Sequence, residues 1–257
     1  MAVSVPNAKR FATREKLILA GLYLSKYDTL GLKKLGFRGF KEAFNVIGYA
    51  LGSQPASVKN YRDEFDPLFP NRRKGWHKRP IREYCRKVLE KYNGLDLETF
   101  TGLVRSLVGY DANACSEIQP FEEQEDGDSN FAKRLITGLA AEQYFVSVRS
   151  SLPEFESYSL EDTTRIGCGY DYRLRTEAHE DFLAVEVKGL RERTGSVSLT
   201  PKEHATATAL RERFYLFVVK NFHESPFHEI YRNPLSGGLD FRRNERVTVH
   251  VSWLATV

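Results

Sequence analysis

Cysteine is scarce: the 257-residue chain has three, Cys85, Cys115 and Cys168, odd in number and far apart. No paired Cys or Cys/His spacing accompanies them, which argues against a disulfide framework and a structural zinc site and leaves reduced thiols with packing roles. The six histidines form no H-E-x-x-H pattern. A G-x-x-x-x-G-K-[ST] loop is also missing, so ATP-driven work within this chain is not expected. No run approaches the roughly 18–20 apolar residues of a membrane span. The opening "MAVSVPNAKRFATREK" lacks the apolar core of a signal peptide, so the expectation is a cytoplasmic protein without membrane contact. Internal repeats are absent as well.

The composition itself is ordinary for a globular protein, 41% hydrophobic and 28% charged, and the length suits one large domain or two small ones. The net charge of +4 conceals a division. Residues 1–115 carry 21 Lys and Arg against 11 Asp and Glu, whereas residues 116–257 carry 17 against 23. A basic half is an electrostatic footprint for a polyanion, although surface cations are often simply solvated. Between the halves, "SEIQPFEEQEDGDSN" holds six acids and no base, a composition unable to bury enough apolar surface to offset chain entropy. The expected organisation is a basic, mainly α-helical domain over 1–115, an acidic linker over 116–130 and a second domain over 131–257.

In the basic half, "REKLILAGLYLSKY" places Leu17, Ala20, Gly21 and Leu24 at helical spacing, and "KEAFNVIGYALG" repeats the pattern. Gly52 can close the second helix, Ser53 or Gln54 can cap the next, and Pro55 suits a first helical turn. In "ASVKNYRDEF", Val58, Tyr61 and Phe65 turn inward while Ser57, Lys59, Asn60 and Arg62 turn outward. Helix, short turn and second helix resemble a helix-turn-helix whose second helix reads the major groove. Packed helix pairs also occur in proteins that never touch DNA. "NRRKGWHKRP" strengthens the DNA reading, since Arg72, Arg73, Lys74, Lys78 and Arg79 surround Trp76 and His77. Cations suit phosphates and the ring suits stacking. A solvated loop with Trp76 folded onto the core is the competing explanation. "PIREYCRKVLEKYNG" is a plain core helix.

The second half alternates. A helix starts at Phe131, strands are expected at 164–175, 182–190, 213–220 and 246–254, and a helix opens at Thr200 with Pro201 and Glu203 completing a capping box. This order predicts an α/β (α+β) domain, a mixed sheet with helices packed on it. In the second strand Leu183, Val185 and Val187 share one face, and Ala184, Glu186 and Lys188 the other. If the hairpin closes symmetrically around "TEAHED", residue 173 pairs with 184 and 171 with 186. Asp171 then opposes Glu186, and like charges so placed repel unless a cation lies between them. A one-residue slip would separate them. An exposed strand face, with Glu186 and Lys188 bound to water, Arg173 or Arg175, is the plainer alternative. Two acids that gather a hard cation beside a lysine form a constellation for phosphodiester hydrolysis.

"GYD", "VEVKG", "SVSLTPKEHATAT" and "FYLFVV" together resemble the PD-(D/E)XK nuclease superfamily, in particular the nuclease-like domain at the C-terminus of the plant NO VEIN protein and of bacterial restriction and defence proteins. The resemblance covers about residues 130–257 and implies a restriction-endonuclease-like fold. It implies that Asp171 and Glu186, with Val187 between Glu186 and Lys188, bind Mg²⁺, for which Mn²⁺ would substitute. It also implies that Lys188 orients or deprotonates the attacking water or offsets charge on the phosphate. One ion or two is left open. Glu142 in "GLAAEQYF" matches a helix carboxylate that many members add, although a solvated glutamate is equally consistent. Glu203 falls in the resembling segment, but its cap explains it. Tyr170 stands where the motif's proline would precede Asp171.

The leading expectation is a Mg²⁺-dependent DNA endonuclease acting on double-stranded DNA in restriction or phage defence. A homodimer would supply two sites for two strands, and a companion methyltransferase would act on the same DNA site. The alternatives are a DNA-binding or regulatory protein with a catalytically silent nuclease-like domain, and a structure-selective repair nuclease.

Overall fold

The computed structural model describes residues 11–109, 127–177, 179–245 and 253. Among them are eight α-helices: α1 (Thr13–Lys26), α2 (Asp28–Lys34), α3 (Phe40–Ala50), α4 (Pro55–Phe65), α5 (Glu83–Tyr92), α6 (Leu97–Leu107), α7 (Gly127–Val148) and α8 (Pro201–Leu210). Five strands follow the order β1 (Ser159–Asp162), β2 (Tyr172–Thr176), β3 (His179–Gly189), β4 (Phe214–Lys220) and β5 (Phe227–Arg232) across one sheet. β3 and β4 run parallel and the other neighbours antiparallel. The second half is therefore an α+β unit with a mixed sheet, as its pattern predicts.

α1 is helical as its spacing predicts, but it has no polar face over most of its length. Every residue from Leu17 to Ser25 is buried, because α1 is wrapped by the other helices of this half. Gly21 lets α4 lie directly against it: a Cβ there would sit 2.5 Å from Tyr61 Cβ and 2.7 Å from the Tyr61 carbonyl carbon. α3 and α4 follow the expected helix, turn, helix order. Gly52 takes a positive φ of 65° at the turn, and Gln54 precedes Pro55 as N-cap without a side-chain bond.

α3 has a second partner that its sequence does not announce. It packs on α7, Tyr49 meets Tyr144 edge to face at 5.1 Å, and Asn45 Nδ2 donates to the Phe222 and Glu224 carbonyls. The buried Glu42 carboxylate accepts from Arg191 Nε at 2.6 Å. One hydrophobic core runs from Leu17 to Phe222 through both halves. α7 begins at Gly127, inside the expected linker; residues 116–126 of that linker lie outside the described residues, as does Cys115.

The sheet is covered on both faces, which is why β4 (FYLFVVK) is apolar almost throughout. α7 lies over Tyr172, Leu174, Val185, Val187 and Phe217 in the main core. α8, the crossover between β3 and β4, closes a smaller cluster of Tyr170, Ala184, Ala207 and Phe214. The strand expected at 164–175 is corrected to β2 alone. Residues 163–171 form a turn, with Ile166 N–H donating to the Thr163 carbonyl, and Gly167 and Gly169 adopt positive φ of 64° and 91° that break a strand. β1 and β5 were not anticipated, and the strand expected at 246–254 lies outside the described residues apart from Trp253.

Candidate active site

The β2–β3 hairpin keeps the symmetric register next to the acids: Tyr172 pairs with Val185, Arg173 with Ala184 and Leu174 with Leu183. Its tip departs from symmetry, because an irregularity between Leu174 and Thr176 sets Thr176 against His179. Face assignments on β3 follow parity. Ala184 packs toward α8, and Lys188, two pairs further along, reaches Glu203 of α8.

Asp171 is not a ladder partner of Glu186, because the β2–β3 register ends at Tyr172 opposite Val185. The chain leaves strand geometry at Asp171, held by Thr163, whose N–H and Oγ1 both donate to the Asp171 carbonyl at 2.9 Å. Asp171 N–H still donates to the Val185 carbonyl at 3.0 Å. Its carboxylate Oδ2 then accepts from Val187 N–H at 2.8 Å, taking the place of the next main-chain acceptor near the plane of the sheet. The two acids remain close enough for the Asp171 charge to push Glu186 upward.

Glu142 approaches from the α7 side. α7 crosses β3 at Gly189, where a Cβ would lie 2.9 Å from the Thr137 carbonyl oxygen and 3.1 Å from Ala141 Cβ. This close crossing sets half-buried Glu142 beside the end of the strand. Burial, then Asp171 and Asp162, push its carboxyl up to about 8 against the pull of Lys188. Asp171 rises to about 6, chiefly through burial, opposed by Val187 N–H and Lys188. Glu186, 4% exposed, is pushed well above the carboxylate range by burial and then by Asp171. Lys188 is the counter-charge common to all three. Burial works against its own charge, but Glu186 (Nζ to Oε1, 2.5 Å) and Glu203 (Nζ to Oε2, 2.8 Å) hold it above the ordinary lysine range.

Several carboxylates thus share one lysine. Among the described residues, no group of three or more His, Cys, Asp and Glu side chains is arranged to hold a metal ion. The donor pair that remains, Asp171 and Glu186, is nevertheless of the right kind. Mg²⁺ is a hard cation that keeps several waters and takes one or two carboxylates plus substrate phosphates, and a cation offsets the cost of burying both charges, the main cause that lifts the two acids. Val187 spends its N–H on Asp171, so only its carbonyl oxygen could serve such an ion.

Residues 141–232 match the family model described as Protein NO VEIN, C-terminal. Neither a curated protein nor a solved structure gives a match. The matched segment runs from α7 to the end of β5 and contains Glu142, Asp171, Glu186, Lys188 and Glu203. It leaves the helical half outside.

The residues expected to touch DNA divide into two sets. Arg62 is buried, donating to Asp63 at 2.6 Å and lying 3.5 Å from Asp66, with its guanidinium over the Phe40 and Phe44 rings. Arg73 is engaged by Asp66 and Asp28, Arg79 by the buried Glu64, and Lys59 by Asp63. For these four the acids of the same half are partners that composition could not reveal. Asn60, Arg72, Lys74, His77 and Lys78 are exposed, and Ser57 is half-buried with its hydroxyl 3.1 Å from that of Ser53. Half-buried Trp76 donates its backbone N–H to Asp63 and lies under the Arg79 and Arg82 guanidinium groups, so part of its ring is already stacked.

Sequence reasoning assigns Glu203 to the cap alone and does not single out Asp162. The spacing of Glu203 from Thr200 signals the cap, which is present, but nothing local signals Lys188, since that contact depends on where α8 lands. Asp162 ends β1, a strand too short and polar to be read in advance. No described helix is long and apolar enough to cross a membrane.

Proposed function

We propose that this chain is a Mg²⁺-dependent DNA endonuclease of PD-(D/E)XK type, with a restriction-endonuclease-like second half and a helix-turn-helix-like first half, serving restriction or phage defence. The observation that carries this reading is the end of the β2–β3 hairpin: Asp171 anchored on Val187 N–H, with Glu186 and Lys188 on the same strand. Asp171 and Glu186 would hold the cation. Bound there, Mg²⁺ would supply Lewis-acid polarisation of the phosphate and a lower pKa for an attacking water. Lys188 Nζ presents a fixed positive charge to the phosphate as negative charge builds there. Glu142 of α7 adds a third carboxyl beside Asp171. Arg72, Lys74, His77 and Lys78 contact phosphates, and a homodimer cuts both strands at sites that a companion methyltransferase protects.

The test is digestion of supercoiled plasmid with Mg²⁺, with Mn²⁺ and with EDTA, alongside Glu186→Ala. Wild-type protein should nick or linearise the plasmid only with metal, and the variant should shift the DNA without cutting it; equal cleavage by both refutes the assignment. One observation favours a second reading, a DNA-binding module with a silent nuclease-like domain: the described residues bring together no group of three or more His, Cys, Asp and Glu side chains that could hold a metal, and Lys188 is engaged by two acids. Wild-type protein that shifts DNA and leaves it whole with either metal would establish that reading.

A further inference from the structure

We infer that Glu203 is a positioning residue that sets the Lys188 ammonium in the candidate site, a role resting on the nuclease reading above. Its capping function is real but does not account for its charge. The reciprocal bonds with Thr200, Oε2 from Thr200 N–H at 3.0 Å and Glu203 N–H to Oγ1 at 3.3 Å, can be made as well by glutamine. The same Oε2 accepts from Lys188 Nζ at 2.8 Å, and both side chains are largely shielded, 22% and 16% exposed. An amide oxygen could accept both bonds, but only a carboxylate sets a negative charge against the shielded ammonium.

Lys188 has a long, flexible stem, and Glu186 alone would draw its ammonium onto a carboxylate assigned to the cation. A second acid on α8 holds Nζ between two fixed points. α8 is itself fixed relative to Asp171. The turn leading to Asp171 packs so closely on α8 that a Cβ at Gly169 would sit 2.4 Å from Thr206 Oγ1 and 3.1 Å from the Lys202 carbonyl oxygen. Thr206 Oγ1 also donates to the Cys168 carbonyl. One helix therefore braces both the turn that delivers Asp171 and the lysine beside Glu186, and Glu203 is the link to the lysine.

Glu203→Gln and Thr200→Ala separate positioning from capping. Glu203→Gln keeps the cap and loses the charge. Its kcat for plasmid nicking in Mg²⁺ should fall about 10- to 100-fold with KM nearly unchanged, the scale expected when a reacting group is misplaced, while its thermal midpoint stays close to wild type. Thr200→Ala should lower the midpoint and leave kcat near wild type. Wild-type kcat in Glu203→Gln, or equal loss in both variants, overturns the inference. A readout independent of cleavage is the acylation rate of Lys188 by an amine-reactive ester, followed by mass spectrometry. That rate should rise several-fold in Glu203→Gln and not in Thr200→Ala, and an unchanged rate overturns the inference. A wild-type protein that leaves DNA uncut, with Lys188 labelling that rises as expected, refutes the nuclease reading and keeps the clamp.

Discussion

Glu142→Gln should make the metal-free protein much less sensitive to alkali. The carboxyl stands beside Asp171 and Asp162, and burial followed by those two charges raises it from 4.5 to about 8. A carboxyl raised in the folded state binds its proton more tightly there than in the unfolded chain. Its cost is therefore absent below 4.5, grows as pH rises to about 8, and is constant above that. Each pH unit across the interval is worth about 1.4 kcal/mol. The whole penalty is about 5 kcal/mol, of which only about 1 kcal/mol is present near pH ~5.5. Glutamine fills the same space without charge at either pH. Because Glu142 is half-buried and water screens part of the effect, the advantage of the variant should grow by about 2–3 kcal/mol between pH ~5.5 and pH ~8.5.

Urea unfolding in EDTA at the two pH values, followed by circular dichroism, measures that difference. Asp171 and Glu186 contribute pH dependence of the same sign in both proteins, so the difference reports Glu142 together with its coupling to Asp171. Parallel curves for wild type and variant would mean that Glu142 does not lie in the shielded position beside Asp171. Adding Mg²⁺ extends the test. A cation held by Asp171 and Glu186, as proposed, would stabilise wild type by about 2.7 kcal/mol at a hundredfold excess over its dissociation constant. The gain should be larger at the alkaline pH, where fewer protons compete with the ion for the two carboxylates.

Gly21→Ala opposes two effects: alanine gains about 1 kcal/mol of helix propensity, but its Cβ meets Tyr61 backbone at 2.7 Å, and overpacking costs about 3 kcal/mol. A net loss of about 2 kcal/mol by chemical denaturation is expected, and a gain would show that α1 and α4 can part cheaply. Lys74→Ala with Lys78→Ala should leave stability unchanged, weaken duplex binding and reduce the slope of log affinity against log salt by about 2. Arg62→Ala should instead lower stability by about 3 kcal/mol, because Asp63 and Asp66 lose a buried partner. Anisotropy titrations on folded protein check both, and the reverse pattern would restore Arg62 as a DNA contact.

What the sequence made legible follows the range over which each feature is determined. Parity along β3 separated Val185 and Val187 from Glu186 and Lys188 because alternation is a property of the strand alone. The Thr200 cap was readable because all its atoms lie within four residues. The hairpin register next to the acids survived the irregularity at its tip, since matching apolar residues on the α7 face penalises a slip. The burial of α1 on all sides from Leu17 to Ser25 was not legible because its surroundings come from α4, α5 and α6, and spacing on one helix cannot count neighbours. Arg62, Arg73 and Arg79 looked like free cations because Asp66 and Glu64, which occupy them, are partners only after α4 has packed. Asp171 combines both kinds of information. Its place opposite β3 was legible, but its departure from the strand depends on Thr163 and on the approach of Gly169 to α8. That departure directs the carboxylate to Val187 N–H. A site assembled where a turn, a strand end and two helices converge has its residue types written in the sequence and its geometry written in the packing, which is why Glu203, explained locally by a cap, acquires its second partner only in three dimensions.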